Sequence, residues 1–397
     1  GFPKLRGIHR HPVAVRDGDR TPRALTRIGY DTQSETLLWG FDPGMLPVLA
    51  TREDAQRAAE WLATELLGDF PFEGPAERAT AFALAFLPFI RPMLSGCVPL
   101  HLFEASVQGS GKDLLIDVCM AGALGEIRIV TLPQGRDDDD WRKRVTSYLG
   151  AGVEGIAIRN IKGHFDSPVI EAVLTLDTWE DRLLGTNAVA RYPNLTVWCA
   201  SGNNMSMSDD MARRVVRCRI VPACERPAER TGFRHPRLLD WLAEHRAEVL
   251  RAAWSCVLGW VGAGCPATAT TIMGSYEDWS RYMGGLLAFC GVPGFLANRK
   301  EVSDSSSADK SAMRGFLRSW WAQHNSRRVD SATLLNLAVD AGIYMKGITD
   351  ADRRRSLVYV IGRVEDQIID GCSIKVEHPA EDNDLAGTVF SISRKTP

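Results

Sequence analysis

The residues with the clearest chemical capacity lie in one run, Glu104-Ala105-Ser106-Val107-Gln108-Gly109-Ser110-Gly111-Lys112-Asp113, between a short apolar stretch, 98–103, and a helical pattern, 112–123. A loop that binds phosphate needs three things. Glycines let successive backbone N–H groups wrap the anion, a helix N-terminus presents its positive dipole end, and a lysine reaches the terminal phosphates. Ser106, Gln108, Gly109, Ser110, Gly111, Lys112 and Asp113 are therefore the candidate phosphate-binding residues. Two positions depart from the pattern G-x-x-x-x-G-K-[ST]. Ser106 replaces the first glycine, and Asp113 replaces the hydroxyl that would ligate magnesium. The alternative is a glycine-rich turn between strand and helix that holds no nucleotide.

In a site of this kind the next strand but one ends in an acid that holds the metal. That strand reads Gly155-Ile156-Ala157-Ile158-Arg159-Asn160-Ile161, so a guanidinium stands where a carboxylate is expected. The paired exchange predicts that Asp113 and Arg159 form an ion pair in the place of the dication. Phosphate binding would then survive, with hydrolysis weak or absent. Independent drift at the two positions is the competing explanation. Farther along, Ser201-Gly202-Asn203-Asn204 closes the following strand, where Asn203 can orient an attacking water or touch a terminal phosphate. Gly-Asn-Asn is also an ordinary turn. Arg213 and Arg214 precede the last strand and read either as an arginine finger or as a solvated helix end. Arg159, Asn160, Asn203, Arg213 and Arg214 form the candidate catalytic set.

Positioning these side chains requires an alternation of β and α segments. Strand patterns at 98–103, 127–132, 155–158, 195–200 and 215–221, with helical patterns at 112–123, 138–149 and 166–176, predict an α/β core with a mostly parallel sheet flanked by helices. The first 50 residues, rich in Gly, Pro and Arg, read as irregular or short-stranded. Residues 51–95 read as a helical subdomain opened by Thr51-Arg52-Glu53-Asp54. The phosphate-loop core spans 96–235 and a helical segment, 236–300, packs on it. The serine-rich 301–310 reads as a linker. Residues 311–397 carry three helical patterns and two strand candidates joined by a polar turn, 379–384, which suits a winged-helix-like domain.

Composition narrows the classes. With 45% apolar and 24% charged residues and a net charge of −2, the 397-residue chain is no polycation, acidic tail or disordered segment. Nine cysteines without a C-x-x-C pair speak against a disulfide framework and a zinc site, and suit a reduced, cytoplasmic setting; no metal site is expected. The longest apolar stretch, 79–90, contains Pro88 and falls short of the roughly 20 residues that span a bilayer, so no membrane partner is expected. A start at Gly1-Phe2-Pro3 reads as a fragment that leaves room for an upstream domain.

Taken in order, these motifs resemble the AAA+ helicase module of phage and mobile-element primase-helicases, relatives of the superfamily 3 helicases. The resemblance covers about residues 40–300. It includes the acidic run Asp137-Asp138-Asp139-Asp140 before Trp141, Trp179 with Arg182, Ser201-Gly202-Asn203-Asn204, and Arg213-Arg214. It implies ATP as the cofactor, held at subunit interfaces of a homo-oligomeric ring, commonly a hexamer, that threads single-stranded DNA at a replication fork, with a primase domain or partner possible. It also implies a DNA-gripping hairpin, matched here by 186–195 with Arg191 near its turn, so that Arg182 and Arg191 become phosphate-contacting candidates. Magnesium is doubtful because the two metal positions depart from the pattern. A catalytically inactive relative that acts as a DNA-binding or scaffold partner is the alternative function.

Overall fold

Five short strands lead the chain: β1 (Gly7–His9), β2 (Val13–Val15), β3 (Arg23–Leu25), β4 (Gly29–Asp31) and β5 (Thr36–Leu38). They form a three-stranded sheet, β1-β5-β4, and a β2-β3 ribbon. The computed structural model describes residues 4–16, 21–105, 107, 109–125, 129–133, 137–182, 188–203, 205–222, 227–267, 271–343, 345, 349–362, 364–365, 368–369, 372–377 and 388–394. It divides into two units, Gly1–Val302 and Ser303–Pro397.

Helix α1 (Arg52–Glu65) begins where the sequence calls for it. The Thr51 hydroxyl accepts from the Asp54 amide while the Asp54 carboxylate accepts from the Thr51 amide, a reciprocal cap. Helix α2 (Pro75–Ile90) is apolar around its whole circumference and buried throughout its second half, as a helix enclosed on all sides must be. It holds the longest apolar stretch of the sequence, packed against the helices Lys112–Leu124 and Arg246–Gly262 and the strand Val215–Ile220. Among the described residues no helix is long and apolar enough to cross a membrane.

The central elements then alternate: β6 (Leu100–Ala105), α3 (Lys112–Leu124), β7 (Ile129–Pro133), α4 (Asp138–Gly150), β8 (Gly155–Ile161), β9 (His164–Phe165), α5 (Pro168–Val173), the pair β10 (Thr178–Arg182) and β11 (Val189–Pro193), β12 (Val197–Asn203), β13 (Ser206–Met207), α6 (Asp209–Ala212) and β14 (Val215–Ile220). Five of the strands make one parallel sheet in the order β14-β6-β12-β8-β7, that is, fifth, first, fourth, third, second along the chain. Period-two alternation sends successive side chains to opposite faces. Leu100, Leu102, Ile156, Ile158, Trp198 and Ala200 join a core with α4, α5 and α6. Phe103, Ala105, Ala157 and Cys199 join another with α2, α3 and the helices that follow the sheet. Those are α7 (Leu238–Glu244), α8 (Arg246–Gly262) and α9 (Glu277–Phe289). The single helical stretch read over 236–262 is broken at His245, which ends α7 and starts α8.

The serine-rich stretch read as a linker lies inside a continuous helix, α10 (Arg299–His324). Serine is only moderately unfavourable in a helix, so composition alone does not decide between the two states. The second unit continues through β15 (Val329–Asp330), α11 (Ser331–Asp340), α12 (Asp350–Gly362), β16 (Ile368–Ile369), β17 (Cys372–Glu377) and β18 (Val389–Arg394). Its sheet order is β15-β18-β17-β16, all antiparallel. Met313, Phe316, Leu317 and Trp320, one face of α10, pack with Leu334, Leu357, Ile374 and Phe390 in this unit's core. The turn read at 379–384 lies outside the described residues.

Candidate nucleotide site

The loop joining β6 to α3 has the backbone that phosphate wrapping requires. Gly109 and Gly111 both take positive φ, 73° and 88°, a region that side chains other than glycine's occupy at a cost. Gly111 is the N-cap of α3 and brings no side chain to its open amides. The other helices set between core strands differ: Asp137 caps α4, Ser167 caps α5 and Ser208 caps α6, each through its own side-chain oxygen. The first-turn N–H groups of α3 are thus left available to an anion. Two buried polar atoms at this end of the sheet lack a hydrogen-bond partner, Oγ of Ser110 and Oδ1 of Asn203. Asn203 stands opposite Ala105, the last strand residue before the loop. Lys112 is 5% exposed. Ser106 and Gln108 lie outside the described residues.

Around Lys112 the side chains form a closed charge set. Its ammonium is 3.7 Å from the Asp113 carboxylate, whose other oxygen lies 3.5 Å from the Arg159 guanidinium. Arg159 also donates to the Asp113 carbonyl at 3.2 Å and to the carboxylate of Asp117, its tightest contact. The Ser201 hydroxyl donates to Asp113 at 2.5 Å. Sequence reading brought Asp113 and Arg159 together but missed Asp117 and gave Ser201 no role. Asp117 follows Asp113 by four residues on α3, so helical spacing alone puts the two carboxylates on one face. Burial raises the Asp117 carboxyl above the ordinary range, against the opposing pull of Arg159.

Two cations and two carboxylates leave no net negative charge for a dication. Magnesium wants several oxygen ligands in octahedral geometry, and the place where the second would come from is filled by a guanidinium. The residues present do not fit that ion. They do fit a nucleotide's phosphates: open amides, two unpartnered polar atoms and a lysine face the same end of the sheet.

The surrounding elements hold the candidates in place. β12 shifts register against β8 between Ala200 and Gly202. A Cβ on Gly202 would lie 2.3 Å from the Met205 sulfur and 3.0 Å from the Ile161 carbonyl oxygen, so only glycine allows this close approach. Asn160, exposed, takes φ 57° and donates its amide to the Ser201 hydroxyl at 3.3 Å. The paired arginines diverge. Arg213 is 65% exposed and pairs with Asp210 at 2.6 Å, whereas Arg214 is 14% exposed and donates to the Asp210 carbonyl with Glu171 nearby. Arg299 donates to the carbonyls of Ala212, Arg213 and Val215, which fixes the turn that carries Arg213. Of the two, Arg213 faces outward.

The hairpin departs from its expected bounds. It runs over β10 and β11, and Arg191 sits in the second strand opposite Glu180, 3.0 Å away, rather than near the turn. Arg182 closes the first strand beside the turn, and 183–187 lie outside the described residues. The shift has a physical cause. Trp179 is buried and donates from its indole to the Thr146 hydroxyl, which donates in turn to Asp181, so the first strand is moored to α4. Thr178, Glu180 and Arg182 alternate to the outer side.

No family model and no curated protein matches the chain. Among solved structures, the apo C-terminal region of NrS-1 is 13% identical with a TM-score of 0.37, over 90% of this chain and 80% of that one. The SCCmec type IV Cch active helicase is 8% identical with a TM-score of 0.39, over 98% and 79%. The JCV helicase is 12% identical with a TM-score of 0.24, over 61% and 67%. Similarities of this size assign no chemistry, which has to come from the site itself.

Proposed function

We propose that the chain is an ATP-binding, AAA+ helicase-type protein of DNA replication in a phage or mobile element, cytoplasmic and ring-forming, that holds nucleotide without magnesium and hydrolyses it weakly. The observation that carries this reading is Arg159 seated between Asp113 and Asp117 beside an open phosphate loop. In support, β6 lies between β14 and β12 in the sheet, so Asn203 and the loop share one edge. Phosphates would be held by the amides of 109–113 and by Lys112. Arg213 would reach a neighbouring subunit's nucleotide, and Arg182 and Arg191 would contact DNA. The second unit's order of three helices, with β15 between the first two and a terminal strand pair, suits a winged helix. The same charge set favours a second reading, a non-hydrolysing ring or scaffold that pairs with an active helicase.

Turnover of the unaltered chain, set against an Asp113→Thr/Arg159→Asp double variant, tests the proposal. We expect no magnesium-stimulated turnover from the first and a measurable rate from the second. A normal magnesium-dependent rate in the unaltered chain would refute it.

A further inference from the structure

Three side chains far apart in sequence converge where the leading strands meet the sheet. His9 ends β1, His11 precedes β2, and Glu154 immediately precedes β8. One ligand atom from each lies within 4.8 Å of the others. His9 Nδ1 is 2.9 Å and His11 Nε2 is 3.1 Å from the same Glu154 oxygen, Oε2. The two rings are 7% and 0% exposed. Glu154 keeps 19% of its side-chain exposure, an open direction for water or exchange.

Proton placement at His11 is the telling feature. Its Nδ1 lies 3.0 Å from the Pro12 carbonyl oxygen, which can only accept, so Nδ1 carries the hydrogen. In the neutral ring Nε2 is then a bare lone pair aimed at a carboxylate oxygen. Two acceptors 3.1 Å apart repel unless a positive species lies between them. His9 Nε2 is buried with no partner, so Nδ1 is this ring's contact with the carboxylate. Ring N–H to backbone carbonyl is also the contact that orients metal-ligating histidines.

We propose that His9, His11 and Glu154 bind a divalent cation of borderline softness, represented by zinc, which clips the leading strands to the sheet. Two imidazole nitrogens and one carboxylate are a zinc donor set, with bonds of about 2.0–2.2 Å and hence ligand-to-ligand edges of roughly 3.4 Å. The two nitrogen-to-oxygen distances, 2.9 and 3.1 Å, are close to those edges, and the partly exposed Glu154 side leaves room for a further ligand such as water. The expectation of no zinc site rests on the cysteines, which this donor set does not use. This donor set spans 145 residues between His9 and Glu154, beyond the reach of any local spacing pattern. Along β8 Glu154 stands five residues, about 16 Å, from Arg159 at roughly 3.3 Å per residue, so it is separate from the nucleotide site.

The test uses the full chain, stripped with chelator and free of nucleotide, titrated with zinc and separately with cobalt. One equivalent is expected to bind, cobalt to show visible d–d bands of tetrahedral intensity, and zinc to raise Tm by at least about 2 °C. In Glu154→Gln the affinity should fall at least about 100-fold and the Tm response should vanish, with circular dichroism of the metal-free protein unchanged. His9→Asn is the second variant should Glu154→Gln fail to fold. No uptake by the unaltered chain overturns the site. Uptake undiminished in the variants overturns it as well, by placing the metal on other residues.

Discussion

The two ends of β8 handle charge in opposite ways. At its C-terminal end, where the motif pattern leads one to expect a magnesium, Arg159 lies between Asp113 and Asp117 and the side chains balance one another. At its N-terminal end, where no motif calls for a metal, Glu154 faces two histidine nitrogens, and among the described residues no side-chain cation lies between them. One end holds a side-chain cation between two carboxylates; the other gathers donors around a carboxylate. The lesson is that a strand's chemistry is set by the partners its neighbours bring, since only α3 supplies carboxylates to Arg159 and only the leading strands supply imidazoles to Glu154.

The sharpest way to break this comparison is Arg159→Ala. It leaves Asp113 and Asp117 close together with Lys112, beside Asp113, as the remaining cation; because Asp113 is also partly exposed the loss should be about 2–4 kcal/mol rather than the full cost of a buried charge. Chemical denaturation measures it, and magnesium should restore part of the loss in the variant while leaving the unaltered chain unmoved. A smaller effect follows from Lys112→Ala, which should weaken ATP binding about 100-fold, some 2.7 kcal/mol, without altering zinc uptake. Calorimetry of both ligands on the one variant separates the two ends of the strand.

Next comes the scaffold between them. Gly202→Ala forces a Cβ against the Ile161 carbonyl and Met205, and should cost about 1–2 kcal/mol in thermal stability while also weakening nucleotide binding through Asn203. A pH-dependent readout comes from the buried His101. Burial pushes the His101 imidazole down to about 3, so it stays neutral in the fold. Its folded value lies below the ordinary value near 6.5. The associated stability is therefore complete above pH 6.5 and declines as pH falls toward 3, by at most about 1.4 kcal/mol per pH unit. His101→Leu should flatten that slope in denaturation curves run between pH 6 and 4; an unchanged slope would mean another group controls it.

Much of the core was legible from sequence because its signals are local. Apolar runs such as 155–158 and the glycines at 109 and 111 specify strand and turn within a few residues. What escaped depends on partners distant in sequence. Asp117 became meaningful only once Arg159, 42 residues later, was placed against α3. The hairpin moved because Trp179 and Asp181 are held by Thr146, more than 30 residues before them. Arg214 looked equivalent to Arg213 in the sequence, yet one turn of backbone aims it at Asp210 and Glu171 instead of outward. The serine run 303–307 kept its polar composition but went into a helix.

If Arg159 fills the metal's place at the phosphate loop, nucleotide binding should be indifferent to magnesium. Isothermal titration of ATP into the full chain, once in chelator and once in millimolar magnesium, tests it directly. Dissociation constants within about twofold of each other are predicted; binding at least tenfold tighter with magnesium, or seen only with it, would contradict the claim.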